Sequence, residues 1–184
     1  MDILRQIFGF VCGQVHNWNV GGEPLPFCQR CTGFYVGIVY ALAAALLFRP
    51  RATKLCLWIN GGFLLLMLPF GYHLVDQGAA IRTITGELFA AGLGYFLFLM
   101  PAEALGTRHP VLVRSEWPYF LAIGTGIPLL LASVYFGGGT VRQILAWMGF
   151  AGLVAIAALW SANLWLVPRA IWRSFGRRQT PPAL

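Results

Sequence analysis

The sequence is short of charge, and shortest of acid. Six Asp and Glu stand against thirteen Lys and Arg in 184 residues, and charged residues make up 10% of the chain, well under the roughly 25% of soluble domains. Together with 58% hydrophobic residues and a mean hydropathy of +0.70, this excludes a water-soluble fold. The apolar stretches occupy nearly the whole length, which leaves no room for an appended soluble catalytic domain. Nucleotide-binding, nucleophile-elbow and metalloprotease motifs are absent. The N-terminal run MDILRQIFGFVCGQVH has no small-residue cleavage site, which argues for a short amphipathic or half-inserted segment rather than a signal peptide. The basic surplus does not point to nucleic acid, because most of these residues flank apolar runs in short clusters, as topology signals do.

What the chain does have is apolar runs of membrane length. A spanning helix needs about 20 mainly apolar residues, and five stretches meet or approach that: 32–48, 55–75, 84–100, 117–136 and 144–167. Arg49-Pro50-Arg51, Asp76-Gln77-Gly78, residues 103–116, Gly137-Gly138-Gly139 and Pro168-Arg169 break them. The expected fold is all-α, a polytopic transmembrane helical bundle of about five spans. Residues 1–31 form a Cys/His segment before the first span, 32–167 the bundle and 168–184 a basic tail. Arg49, Arg51, Lys54, Arg108, Arg114, Arg169, Arg173, Arg177 and Arg178 fall on one side, and Arg5, Arg30, Arg82 and Arg142 on the other. By the positive-inside rule the first group is cytoplasmic. The expectation is an inner (plasma) membrane protein of a prokaryote, N-terminus outside and C-terminus inside, with the lipid bilayer and a second copy of the chain as candidate partners.

Chemistry concentrates before the first span. Cys12, His16, Cys28 and Cys31 follow the pattern Cys-x3-His-x11-Cys-x2-Cys, the Cys₃His complement of a tetrahedral zinc site. Cys12 and His16 share a face if that stretch is helical, and the Gly and Pro residues at 21–26 can fold the intervening loop back. A second reading is thiol redox chemistry, since Cys28 and Cys31 lie at a helix start with Arg30 between them, and both features favour the thiolate. A third is a static disulfide, or buried cysteines without chemistry. Cys56 belongs to the opposite end of the second span and reads as a packing residue.

A further polar cluster falls on the same side as the cysteines. Tyr72, His73, Asp76 and Gln77 leave the second span, and Arg82, Thr83, Thr85 and Glu87 enter the third. His73, Asp76, Arg82 and Glu87 are the candidate catalytic residues for proton handling, a second metal or a polar substrate. Ionisable groups within a membrane are rare without a purpose, and Glu87 is expected to pair with Arg82 or Arg30. Asp76 and Arg82, taken singly, read slightly better as interfacial loop residues, whereas His73 with Glu87 leans towards function. Trp18, Trp58, Trp117, Trp165 and Trp172 fall near span ends, as interfacial aromatics do. Gly92, Gly94, Gly124 and Gly126 read as helix contacts. Thr32-Gly33 and Thr85-Gly86 echo one another, each opening a span from the same side, but two dipeptides are weak evidence for a repeat.

With LPFCQRCTGFYVG at residues 25–37, the chain resembles the bacterial and archaeal membrane proteins of domain-of-unknown-function family 2085. That family carries a Cys-His element, then Leu-Pro-x-Cys-x-Arg-Cys-Thr-Gly, then an Arg-x-x-Thr-Gly-like element. The second maps onto Leu25, Pro26, Cys28, Arg30, Cys31, Thr32 and Gly33, and the third onto Arg82, Thr85 and Gly86. In the first, the family places Cys and His side by side, whereas Gly13-Gln14-Val15 separate Cys12 from His16 here. The resemblance implies that this cluster is the working part, without implying a reaction. Three functions stay open: a membrane protein with a zinc-type Cys₃His site, a membrane thiol-disulfide oxidoreductase using Cys28 and Cys31 with a quinone as acceptor, and a small-molecule transporter. No feature decides whether the chain is an enzyme.

Overall fold

The chain opens with a cap that folds back onto the helices. In the computed structural model, which describes residues 1–13, 15–71, 77–104 and 116–177, helix α1 (Asp2–Gly9) is amphipathic and buries Leu4 and Phe8. Strands β1 (Asn17–Val20) and β2 (Glu23–Cys28) then form an antiparallel hairpin. Its turn is Gly21-Gly22, with φ of 61° and 84°, the pair of positive angles that a two-residue hairpin requires and glycine takes without steric cost. The hairpin corrects the all-α expectation. Pro24 and Pro26 disguise β2, because proline is confined to edges and irregular positions of sheets, and the register indeed shifts between Asn17 and Asn19.

Long helices follow: α2 (Gln29–Phe48), α3 (Lys54–Leu65), the short α4 (Met67–Gly71), α5 (Ala79–Ala104), α6 (Trp117–Phe136) and α7 (Gly139–Arg177). Cys28 caps the start of α2, its Sγ accepting the Cys31 N–H, and Arg49 ends it in the left-handed region at φ 45°. Thr53 Oγ1 caps α3 in the same way by accepting the Cys56 N–H at 3.2 Å. The break at Leu66 has its cause three residues further on. Pro69 has no N–H, and its ring crowds the carbonyl four residues back, that of Leu65. The break expected at Pro168 is absent, and α7 continues to Arg177. A proline inside a long helix removes one hydrogen bond and bends the helix without having to end it.

Among the described residues three helical stretches are long and apolar enough to cross a membrane: Gln29–Phe48, Trp117–Phe136 and Gly139–Arg169. The second expected span is divided between α3 and α4, which together make a shorter apolar stretch, Lys54–Phe70. The third is α5, which has the length at 26 residues but carries Arg82 and Glu87 in its first half. Trp58, Trp117, Trp165 and Trp172 are exposed, as interfacial residues would be, but Trp18 is 8% exposed. Strand alternation turns Trp18 and Val20 inward together, and the Trp18 ring packs edge-on against Tyr135 at 4.9 Å.

Two apolar clusters hold the molecule together. One joins the cap to the helices through Phe8, Trp18, Leu25, Phe27, Tyr35 and Leu130, with Phe8 edge-on to Phe27 at 4.7 Å. The other lies further along α2 and contains Ala41, Ala45, Cys56, Tyr95 and Tyr119. Cys56 is fully buried there, consistent with a packing role. The helices α2 and α5 pack most extensively of all. Their contact is backbone to backbone: a Cβ on Gly33 would collide with the Thr83 carbonyl, and one on Gly86 with the Arg30 carbonyl. The echoing Thr-Gly elements thus face each other, each glycine opposite the residue three before the other.

Candidate metal centre

The cysteines reach one point from three different directions. Cys12 follows α1 directly, its N–H donating to the Phe8 carbonyl at 2.8 Å. Cys28 ends β2 and caps α2, and Cys31 lies in the first turn of α2. The hairpin closes the gap, because the Gln29 N–H donates to the His16 carbonyl at 2.7 Å and Asn17 Nδ2 donates to the Leu25 carbonyl at 2.9 Å. The outcome is three sulfurs within 4.8 Å of one another, none of them in a disulfide.

Backbone donors address these sulfurs. The Cys28 N–H donates to Cys12 Sγ at 3.3 Å, and the Cys31 N–H donates to Cys28 Sγ at 3.5 Å. Such bonds, with the positive end of a helix beneath them, favour thiolate over thiol. Crowding acts the other way. The Cys28 thiol is held above its ordinary value, first by its hydrogen bond with the Cys12 side chain and then by burial, while its contacts with Cys31 offset this only in part. Three neighbouring thiols do not readily ionise together on their own; a cation bound among them removes that obstacle.

Beside the sulfurs lies an open cavity of about 280 Å³, lined by Cys12, Cys28, Cys31, His16, Arg30 and Arg82 among others. His16 is exposed on its rim, and its ring nitrogens are not part of the 4.8 Å cluster. Arg82 reaches the cavity from α5, with Nη1 3.4 Å from Gln29 Oε1. Arg30 is anchored by Nη2 donating to the Phe70 carbonyl at 2.6 Å, which Gln77 Nε2 also reaches at 3.0 Å. Thr83 ties the wall together: its hydroxyl accepts from Trp18 Nε1 at 2.9 Å and lies 3.1 Å from the Gln29 carbonyl. Sequence reasoning placed Thr83 in the polar cluster but missed Gln29, whose one advance signal was its place beside Arg30, and read Trp18 as interfacial rather than as a support of the site.

Glu87 is elsewhere. It is 2% exposed and sits where α5 meets α2 and α6, so close to both that Cβ atoms on Gly37 or Gly126 would fall 2.9 Å from its Cγ and 2.6 Å from its Oε1. The expected pairing with Arg82 or Arg30 is not found, and neither carboxylate oxygen has a hydrogen-bond partner among the described residues. The reason is helical phase: five residues past Arg82, Glu87 has turned to a different face. Gly126, Gly92 and Gly94 make the close contacts expected of them, whereas Gly124 faces open space. His73 and Asp76, the other catalytic candidates, lie outside the described residues, as does Tyr72.

Residues 12–98 match the family described as "Predicted membrane protein (DUF2085)". Over this part, just under half of the chain, the sequence is similar to that family. The DUF2085 match opens on Cys12 and closes in α5, so the three cysteines, His16, Arg30, Arg82 and Glu87 all fall inside it, while α6 and α7 lie beyond it. DUF2085 carries no assigned function. Neither a curated protein nor a solved structure matches the chain.

Proposed function

We propose that this membrane protein holds one divalent metal ion, zinc by default, on Cys12, Cys28 and Cys31, with His16 as the fourth ligand. The observation that carries this reading is the convergence of three thiols within 4.8 Å. Sulfurs on a tetrahedral zinc at Zn–S of about 2.3 Å stand about 3.8 Å apart, so each need move inward by no more than about an ångström. His16 is positioned to follow, since its backbone is fixed by Gln29 and its side chain stands free on the rim of the same cavity. The ion sits outside the cytoplasm at the membrane surface, on a bundle of five crossings with the N-terminus outside and the C-terminus inside, in the plasma membrane of a prokaryote. Two copies can associate through the lipid-facing helices.

Elemental analysis of protein purified in mild detergent without chelators tests this. One equivalent of zinc per chain is expected, because a structural zinc site is worth about 10–16 kcal/mol in small peptides at neutral pH and survives such handling. Cys28→Ser and Cys31→Ser lose the metal, and Cys56→Ser keeps it. Metal-free wild-type protein would overturn the reading. One feature favours thiol-disulfide exchange instead: Cys28 caps a helix with Cys31 one turn on. Mass spectrometry showing the pair cycling between dithiol and disulfide, in metal-free protein, would move the assignment there.

A further inference from the structure

We propose that the cavity beside the cysteines binds a phosphate-type oxyanion, gripped between the guanidinium groups of Arg30 and Arg82. This deepens the metal reading, on which the identity of the working site rests, by naming the class of molecule that comes to it.

Among the described residues the charge around the cavity is one-sided: Arg30 and Arg82 both line it, and no described carboxylate does. Among the described residues the ion pair present is Arg142 with Glu23, at the hairpin turn, so neither cavity arginine has an acidic partner there. Arg30 spends one nitrogen on the Phe70 carbonyl, but its Nε is buried with no acceptor among the described residues. Arg82 Nη1 lies at the long distance of 3.4 Å from Gln29 Oε1. A guanidinium partly withdrawn from water without a counter-charge carries a desolvation cost, and both arginines are half-buried. An anion in the void satisfies both.

Guanidinium geometry matches an oxyanion through paired N–H donors. The start of α2, where Gln29 lines the same cavity, adds the positive end of a 20-residue helix. Size narrows the choice. About 280 Å³ is just below the roughly 300–1,000 Å³ of drug-sized ligand sites, which suits phosphate or a small phosphate headgroup.

Equilibrium dialysis of the full chain, lipid-depleted in detergent, against radiolabelled inorganic phosphate tests the proposal, with zinc measured on the same samples. One saturable equivalent is expected. Arg30→Gln and Arg82→Gln each weaken binding at least tenfold, Arg82→Lys retains part of it, and the distant Arg169→Gln changes nothing. Absence of saturable phosphate uptake by zinc-loaded protein overturns the oxyanion site and leaves the metal reading standing. Phosphate uptake by protein without zinc upholds this proposal while the metal reading falls. If Arg82→Gln instead loses zinc and keeps phosphate, the arginines only balance the thiolates and the proposal is overturned. Nanodiscs containing phosphatidic acid, compared with phosphatidylcholine alone, identify the source: displacement of phosphate by phosphatidic acid assigns the cavity to a lipid headgroup, and no displacement assigns it to a free phosphate.

Discussion

Replacing Gly33 by alanine separates a packing effect from a propensity effect by sign. Alanine in place of glycine inside a helix stabilises it by up to about 1 kcal/mol, and that gain is available wherever the new methyl meets nothing. Gly61 is such a position, with no atom within 4 Å of an added Cβ. At Gly33 the same methyl lands on the Thr83 carbonyl and close to the Glu87 backbone nitrogen. The obstacle is backbone, which cannot swing aside as a flexible side chain would, so the helices must part. Overpacking of this kind costs about 1–3 kcal/mol, and separating α2 from α5 also stretches the Thr83 to Gln29 contact of 3.1 Å, a bond worth about 1 kcal/mol. The expected net is a destabilisation of about 1–3 kcal/mol for Gly33→Ala against a small stabilisation for Gly61→Ala. Unfolding of both variants, followed in detergent by titration with a denaturing detergent, checks this. If Gly33→Ala proves as stable as Gly61→Ala, the backbone contact between α2 and α5 is not what holds them together.

Phe8→Ala removes a fully buried ring that touches Phe27 and Tyr35 and should cost about 3–5 kcal/mol, read as a lowered melting midpoint with the cap becoming susceptible to protease. Glu23→Gln breaks the ion pair with Arg142, but Glu23 is 60% exposed there, so the loss should stay under about 1 kcal/mol and shrink further in high salt. Acidification should release bound metal, since protons compete with the ion for the three thiolates; zinc retained unchanged well below pH 5 would count against a thiolate site. Returning such protein to neutral pH with a chelator present should leave it metal-free and less resistant to heat.

Much of the site was legible because its residues are close in sequence and chemically unusual. A Cys-x-x-Cys pair at a helix start announces itself, and the first cysteine lies sixteen residues before Cys28. What could not be read was direction. Whether His16 faces the sulfurs or the rim depends on the hairpin register, which two prolines conceal. Helical phase decided Glu87: the sequence suggests a nearby arginine, while the turn of α5 sends the carboxyl to the opposite side. Trp18 carried the composition of an interfacial residue and the strand position of a core one, and position prevailed. Apolar runs placed three long helices that the structure also has, Gln29–Phe48, Trp117–Phe136 and Gly139–Arg169, whereas the expected second span is divided between α3 and α4. Where they break depended on Pro69 and Pro168, two prolines of the same chemistry with different outcomes, one a break at the carbonyl four residues back and the other a continuous helix.

Glu87 bears on how the chain is built as well as on how it stands. The walls around its carboxyl come from α2, through Gly37, and from α6, through Gly126, and α6 is synthesised after α5. On the five-crossing reading, α5 leaves the ribosome with one side of that enclosure still missing. A charged group facing lipid costs about 2.5–3.5 kcal/mol at the centre of a helix and less toward its end, and Glu87, in the first half of α5, bears part of that cost until its neighbour arrives. The two helices would then enter the bilayer as a pair. In chains arrested after residue 104, a cysteine engineered near Glu87 should still react with a water-soluble maleimide; in chains arrested after α6 has emerged it should be protected. Equal protection in both would mean that α5 inserts alone.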